Sequence, residues 1–428
     1  MFKALVIAYY FPPMGLSGVQ RTLKFCKYMS DFNWKPTVIT GSGSSYFAYD
    51  MSLLYEAINN NIEIVRTDPF DPNSILKKRS GFVKGKEALK NSIGKLTKNI
   101  FIPDNKIFWT NKAYNSAKKL LTENHFDVIY VSAPPFSSIV LGARLKREFN
   151  IPLFVDYRNL WQQKETKKNL SPYHKIKNKK LEDNSLRITD KVIVANRKIK
   201  EKLLTDYPFF TFDDILIIPN GYDDEDFNNL PIIPRQNNKM KITYSGIFNE
   251  LISPKYFLEA FKKLTIERPD IAADIELHFL GALRTANRKI VKKLNLQKYV
   301  FDRGALDHKD SLVEIFNSDI LWMMVDNIKE SYTVSGGKLY EYFGTKKPII
   351  ACVPEGAAQI AAEEYAASFI VPPDNIEKIK ETILKAYLLF KENNLPKPNL
   401  EFIQGLNRKN LTEILTKEFQ FFIKEDVI

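Results

Sequence analysis

Four histidines and two cysteines are all that 428 residues offer to transition-metal or thiol chemistry. His125, His174, His278 and His308 are scattered and show no metal-ligand spacing, so no metal is expected. Cys26 and Cys352 are far apart, each within an apolar element, the pattern of two reduced core thiols in a reducing compartment. No run of 18 apolar residues occurs, so no helical membrane span is expected. The opening MFKALVIAYYFPP has one lysine and a short apolar stretch before two prolines. A secretory signal needs a longer apolar region and a small-residue cleavage site, so this stretch reads as a buried first strand. Low-complexity tracts are also missing, which excludes a disordered or fibrous chain.

What is present is globular: 44% hydrophobic, 13% aromatic and 26% charged residues, enough for two substantial cores. The net charge of +13 is unevenly placed. Residues 1–220 hold 35 Lys/Arg against 20 Asp/Glu, whereas the remainder is close to neutral. The asymmetry points one half at an anionic surface: a membrane, nucleic acid or a phosphorylated substrate.

Short apolar runs alternate with helix-length segments throughout. Strands are expected at Ala4–Ala8, Thr37–Thr40, Ile62–Arg66, Val128–Val131, Leu153–Asp156 and Val192–Ala195. Helices are expected between several of them, at Gly18–Ser30, Asn111–Glu123 and Ser137–Phe149. This is the βαβ rhythm of a doubly wound parallel sheet. ILIIPNGYDDEDF and the polar NNLPIIPRQNNK interrupt it, and from KITYSG it restarts. The expected fold class is therefore α/β, with two Rossmann-like domains, 1–220 and 221–428; the last apolar segment can pack on either one.

Ligands of such sheets bind beyond the carboxyl ends of the strands. After the first strand comes FPPMGLSGVQR, whose Gly15 and Gly18 let backbone N–H groups approach an anion. A turn needing positive φ accounts for two glycines equally well. The stretch SYTVSGGKLYEYFGTKKPIIACV is more informative. Gly336, Gly337 and Lys338 precede a helical run that Gly344 is expected to cap, and Lys338 and Glu341 share one helix face. Tyr332 and Leu339 exclude an ATPase loop, which needs glycine and a hydroxyl residue there. A backbone nest with a lysine suits a diphosphate, and a neighbouring carboxylate suits a vicinal diol; together they describe a nucleotide sugar. An ordinary amphipathic helix with an i, i+3 ion pair is the other reading. Asp156 and Arg158 sit just past a strand, placed either to touch substrate or to pair with each other. Asp224, Glu225 and Asp226 read as a solvated acidic turn. The segment Lys77–Lys98 holds eight Lys/Arg and one Glu, with Leu89, Ile93, Leu96 and Ile100 on one face. It suits an anionic bilayer interface, extended by a second cluster at Lys164–Lys180, or else a helix packed on its own domain. Nucleic acid is not expected, because no stacking platform accompanies the lysines.

These segments resemble the family 4 retaining glycosyltransferases of bacteria, which have the two-domain GT-B fold. YYFPPMGLSGVQRTLKFCKYM is similar to the family's first strand, loop and helix. IPDNKIFW, VSAPPFSS and DYRNLW resemble segments of the subgroup that builds surface polysaccharides. IPNGYDDEDF resembles the interdomain stretch, and SGGKLYEYFGTKKPIIA the donor-binding segment. The resemblance implies two domains facing across a cleft, the second holding a nucleotide-sugar donor and the first an acceptor.

By that resemblance Lys338 and the Ser335–Gly337 backbone meet the diphosphate and Glu341 the ribose hydroxyls. Gly15, Gly18 and Gly246 close on the donor, and Lys255 resembles a second phosphate contact. Ser132, Asp156 and Arg158 are the expected acceptor-side residues; Asp156, Arg158 and Lys338 are the expected catalytic ones. Three positions depart from the pattern. Ile247 and Phe248 follow Gly246 where an arginine is frequent, Thr333 stands where a sugar-contacting glutamate is common, and Asn159 replaces an aspartate. The implied activity is metal-independent transfer to a glycan or polyprenyl-diphosphate-linked acceptor. It needs no cofactor, and it would take place in the cytoplasm or peripherally on the inner membrane face. A sugar-nucleotide epimerase of the same fold and a non-catalytic sugar-nucleotide-binding protein are the alternatives.

Overall fold

The computed structural model describes residues 1–15, 17–41, 50–67, 101–161, 171–235, 237–246, 248, 252–281, 283, 285–304 and 306–425. The basic segment Lys77–Lys98 and Ile247 lie outside them. The chain divides into two compact units, one of Met1–Pro219 with Lys409–Ile428 and one of Asn220–Arg408.

The first unit is built on seven strands: β1 (Phe2–Ile7), β2 (Trp34–Gly41), β3 (Glu63–Thr67), β4 (Val128–Ala133), β5 (Leu153–Tyr157), β6 (Lys191–Val194) and β7 (Ile215–Ile217). They pair in the order β3-β2-β1-β4-β5-β6-β7, every pair parallel. Alternate residues serve alternate faces. Leu5, Ile7, Ile129, Val131, Leu153 and Val155 enter one apolar layer; Ala4, Val6, Val128, Tyr130 and Phe154 enter the other. Strands buried on both faces read as continuous apolar runs, which is why they were legible as short blocks. β2 begins earlier than its apolar core because Pro36 is tolerated there: pairing with β3 starts only at Thr37, opposite Glu63. The Arg408–Glu425 helix closes the second face, with Leu411, Leu415 and Phe419 buried in that layer.

The second unit repeats the plan with β8 (Met240–Ser245), β9 (Ile275–Leu280), β10 (Val300–Gly304), β11 (Ile320–Met324), β12 (Ile349–Cys352) and β13 (Ser368–Val371). Their order is β10-β9-β8-β11-β12-β13, again all parallel. The order reverses between β8 and β11, so the ends of β8, β9 and β11 surround the switch point where such sheets bind ligands. Cys26 and Cys352 are buried free thiols, and burial pushes both above the ordinary thiol value.

Candidate active site

In the second unit, β11 leads through a short 3₁₀ turn, Ser331–Thr333, to the Gly337–Thr345 helix. Gly336 is the N-cap of that helix, with φ −65° and ψ 145°, a conformation open to any residue. Among the described residues, no heavy atom beyond its chain neighbours lies within 4 Å of where a Cβ at 336 would stand. The fold therefore does not require glycine here, while close approach of an anion to a helix N-terminus does. Gly336→Ala is expected to leave the melting temperature within about a degree or two and to weaken nucleotide binding by about tenfold or more, read by calorimetry.

Gly344 is not the helix cap that the sequence suggests. The helix runs on to Thr345 and ends at Lys346, which takes the left-handed conformation with φ 59°. Gly344 is small for a different reason: a Cβ there would lie 2.6 Å from the Phe227 ring and 2.7 Å from the Tyr222 ring. Asn220 reaches the same turn, its side-chain amide donating to the Ser335 carbonyl at 3.0 Å. That bond holds the residue immediately before the two glycines.

One turn into the helix, Lys338 Nζ lies 2.7 Å from Glu341 Oε2. Glu341 is buried, whereas Lys338 retains 29% side-chain exposure. The other carboxylate oxygen, Oε1, lies 3.5 Å from His308 Nε2 and has no hydrogen-bond partner among the described residues. Burial alone would raise the Glu341 carboxyl, but the Lys338 charge and His308 hold it well below the usual carboxylate range. A depressed carboxyl stabilises the fold above its unfolded value and loses that contribution as pH falls through the folded one. Glu341→Gln should therefore differ most from the native chain at neutral pH, and the difference should shrink below pH about 4, read from unfolding midpoints across pH.

His308 was not singled out by spacing. It is the first residue of the His308–Phe316 helix that follows β10, and only the sheet order brings it beside Glu341. Lys255 begins the Lys255–Glu267 helix after β8 and is exposed, its ammonium over the Tyr256 ring. Gly246, at the end of β8, touches the β9 loop backbone to backbone: a Cβ on Gly281 would meet the Gly246 carbonyl oxygen at 2.2 Å. Thr333 is buried and donates to the Glu330 carbonyl at 2.9 Å, so its hydroxyl closes a local turn.

In the first unit the expected acceptor residues are placed differently from the expectation. Asp156 is fully buried, and both its oxygens accept from Arg21 Nε, at 3.1 and 2.9 Å, with Nη2 adding a third bond at 3.0 Å. Ser132 is also buried and accepts from the Thr22 hydroxyl at 2.9 Å. Both side chains are engaged within the unit. Both lie on central strands, paired with each other in register, beneath the Ser17–Met29 helix that supplies their partners. Arg21, which the sequence reading passed over, also donates to the carbonyls of Ile218 and Pro219, at 3.0 and 2.8 Å. It thus ties the first helix to β5 and to the end of the unit.

Arg158 lies past the strand and is partly open, with 11% side-chain exposure. It donates to the carbonyls of Gly18, Ala133 (3.1 Å) and Pro134 (3.3 Å). Gly18, the second residue of the Ser17–Met29 helix, is thereby held to the end of β4, and a Cβ on it would stand 3.2 Å from the guanidinium.

Against known families, residues 75–226 match the model described as "Glycosyltransferase Family 4". Over that segment, about a third of its length, the chain is similar to glycosyltransferase family 4. No curated protein matches the chain. Solved structures align over nearly its whole length. A glycosyltransferase from Rickettsia africae has 15% identity and a TM-score of 0.66, with 99% of each chain covered. WaaG, a glycosyltransferase involved in lipopolysaccharide biosynthesis, has 12% identity and a TM-score of 0.60 over 97% of this chain and 99% of its own. UDP-GlcNAc 2-epimerase from Neisseria meningitidis, bound to UDP-GlcNAc, has 14% identity and a TM-score of 0.55, covering 97% and 99%. The fold is therefore GT-B, the two-domain form of the family 4 enzymes. Among the described residues no helix is long and apolar enough to cross a membrane.

Proposed function

We propose that the chain is a retaining glycosyltransferase. It moves a sugar from a nucleotide-sugar donor to a glycan or polyprenyl-diphosphate-linked acceptor in cell-surface polysaccharide synthesis. The observation that carries this reading is the Gly336–Lys338–Glu341–His308 arrangement at the switch point of the second sheet. A nest at a helix N-terminus takes a diphosphate, and a buried carboxylate one turn on takes two ribose hydroxyls. The exposed ammonium of Lys338 leaves Glu341 for the diphosphate as those hydroxyls replace it. Lys255 adds a second cation.

Retention follows when the acceptor hydroxyl attacks the anomeric carbon from the leaving group's own face. The new glycosidic bond forms as the bond to the diphosphate oxygen breaks, and the hydroxyl proton passes to that leaving oxygen. The protein's share is to position both partners and to stabilise the departing charge, chiefly through Lys338. The first unit holds the acceptor, with Arg158 as its contact, and Gly15 and Gly18 meet the donor phosphates. A metal ion takes no part.

Incubation with UDP- and GDP-sugars and a lipid-linked acceptor, with a chelator present, should release nucleoside diphosphate and yield a glycosylated product. Diphosphate release only with divalent metal added would overturn the metal-independent mechanism. A second reading, a sugar-nucleotide epimerase, is favoured by the epimerase that shares the fold; a new sugar nucleotide formed without any acceptor would select it. A sugar-nucleotide-binding protein without turnover would bind donor in calorimetry and do neither.

A further inference from the structure

The Pro172–Leu186 helix has no apolar stripe along its length, and several of its inward side chains are polar. Asn178 accepts from the Trp161 indole at 3.0 Å, Glu182 accepts from the Tyr157 hydroxyl, and both side chains are buried, together with Ser185 and Leu186. Leu181 and Leu186 also turn inward, onto the core of the first unit, but the first two turns leave apolar side chains outside. Tyr173 is 62% exposed and Ile176 is 69% exposed, three residues apart on one side, with exposed Pro172 beside them.

Lysines flank this apolar pair. Lys175, Lys177 and Lys180 are exposed, and no acidic residue occurs between Ser171 and Lys180. The Lys177 ammonium stands 3.2 Å from the Tyr173 hydroxyl, so the phenol and the cation present one polar tip above an aliphatic base. The inward hydrogen bonds fix the helix to the segment following β5, so the exposed pair is held rigidly outward. A lone exposed isoleucine needs no explanation; a tyrosine, an isoleucine and a proline within one turn of a lysine-rich helix do. Nucleic acid would use the lysines but gains little from Ile176 and Pro172. A bilayer uses every element: lysines meet anionic headgroups, the tyrosine sits at headgroup level, and the isoleucine enters the acyl boundary.

We propose that the first turns of the Pro172–Leu186 helix dock the first unit on an anionic membrane surface, with Tyr173 and Ile176 inserted and Lys175, Lys177 and Lys180 against the headgroups. This deepens the reading of a lipid-linked acceptor, yet it is measured without any sugar nucleotide, so either can fail alone.

The full chain should float with vesicles of equal parts phosphatidylcholine and phosphatidylglycerol and remain behind with phosphatidylcholine alone. Tyr173→Ser with Ile176→Ser should cut the floated fraction by about tenfold or more. Lys175→Glu with Lys177→Glu and Lys180→Glu should abolish it, as should high salt. Because these side chains are exposed, the circular dichroism and melting temperature of both variants should match the native chain. Equal flotation on both vesicle types, or variants that float like the native chain, would overturn the proposal. So would retention on single-stranded RNA with no flotation, which would make the helix a nucleic-acid surface instead.

Discussion

Lys338→Ala is expected to lower kcat by about a hundred- to a thousandfold, the loss typical when one preorganised charge donor is removed from a developing anion. The geometry separates this from the effect of its neighbour. Lys338 is the more exposed member of the pair, so its ammonium is the group able to move onto a diphosphate. Glu341 stays buried between Lys338 and His308; in the proposed function it holds ribose hydroxyls, which do not change charge during transfer. Glu341→Gln should therefore raise KM with a smaller change in kcat, because ribose binding is equally present in the ground and transition states. Steady-state kinetics with a single donor checks both. If Lys338→Ala changes KM alone, the lysine only binds and the diphosphate assignment needs another cation.

The largest expected effect on stability comes from the first unit. Asp156→Ala should cost about 3–5 kcal/mol, because it leaves the buried Arg21 guanidinium without its charge partner. Arg21 and Asp156 are 1% and 0% exposed, so solvent cannot take over. Replacing both, as Arg21→Leu with Asp156→Ala, should recover much of the loss, since a buried ion pair exchanged for apolar groups is often close to neutral. Differential scanning calorimetry of the four chains completes the cycle. The double variant also removes the bonds from Arg21 to the Ile218 and Pro219 carbonyls, so the recovery should be incomplete.

Much of the architecture was legible in the residues, for a physical reason. Strands such as β4 and β5 are buried on both faces, so VIYVSA and LFVDY stand out as apolar blocks between helices of ordinary length. The helix start at Gly336–Gly337 and the Lys338–Glu341 pair were legible too, because the glycines and lysine are contiguous and helix position alone sets Lys338 against Glu341. Gly344 misled, since a glycine near a helix end resembles a cap, and the crowding by Tyr222 and Phe227 comes from residues more than a hundred positions earlier.

The amino-acid sequence by itself determined what depends on local periodicity and contiguous motifs: two doubly wound sheets, the restart after the linker, and the lysine–glutamate helix. Only the tertiary structure decided which polar groups remain open to a ligand. Asp156 and Ser132 look like strand-end contacts until Arg21 and Thr22, on a helix more than a hundred residues earlier, take up their oxygens. His308 looks isolated until parallel pairing through β9 and β8 carries the end of β10 round to the helix after β11. Hydrogen bonds and charges act over a few ångströms, and in an all-parallel sheet neighbours at that distance are rarely neighbours in the chain.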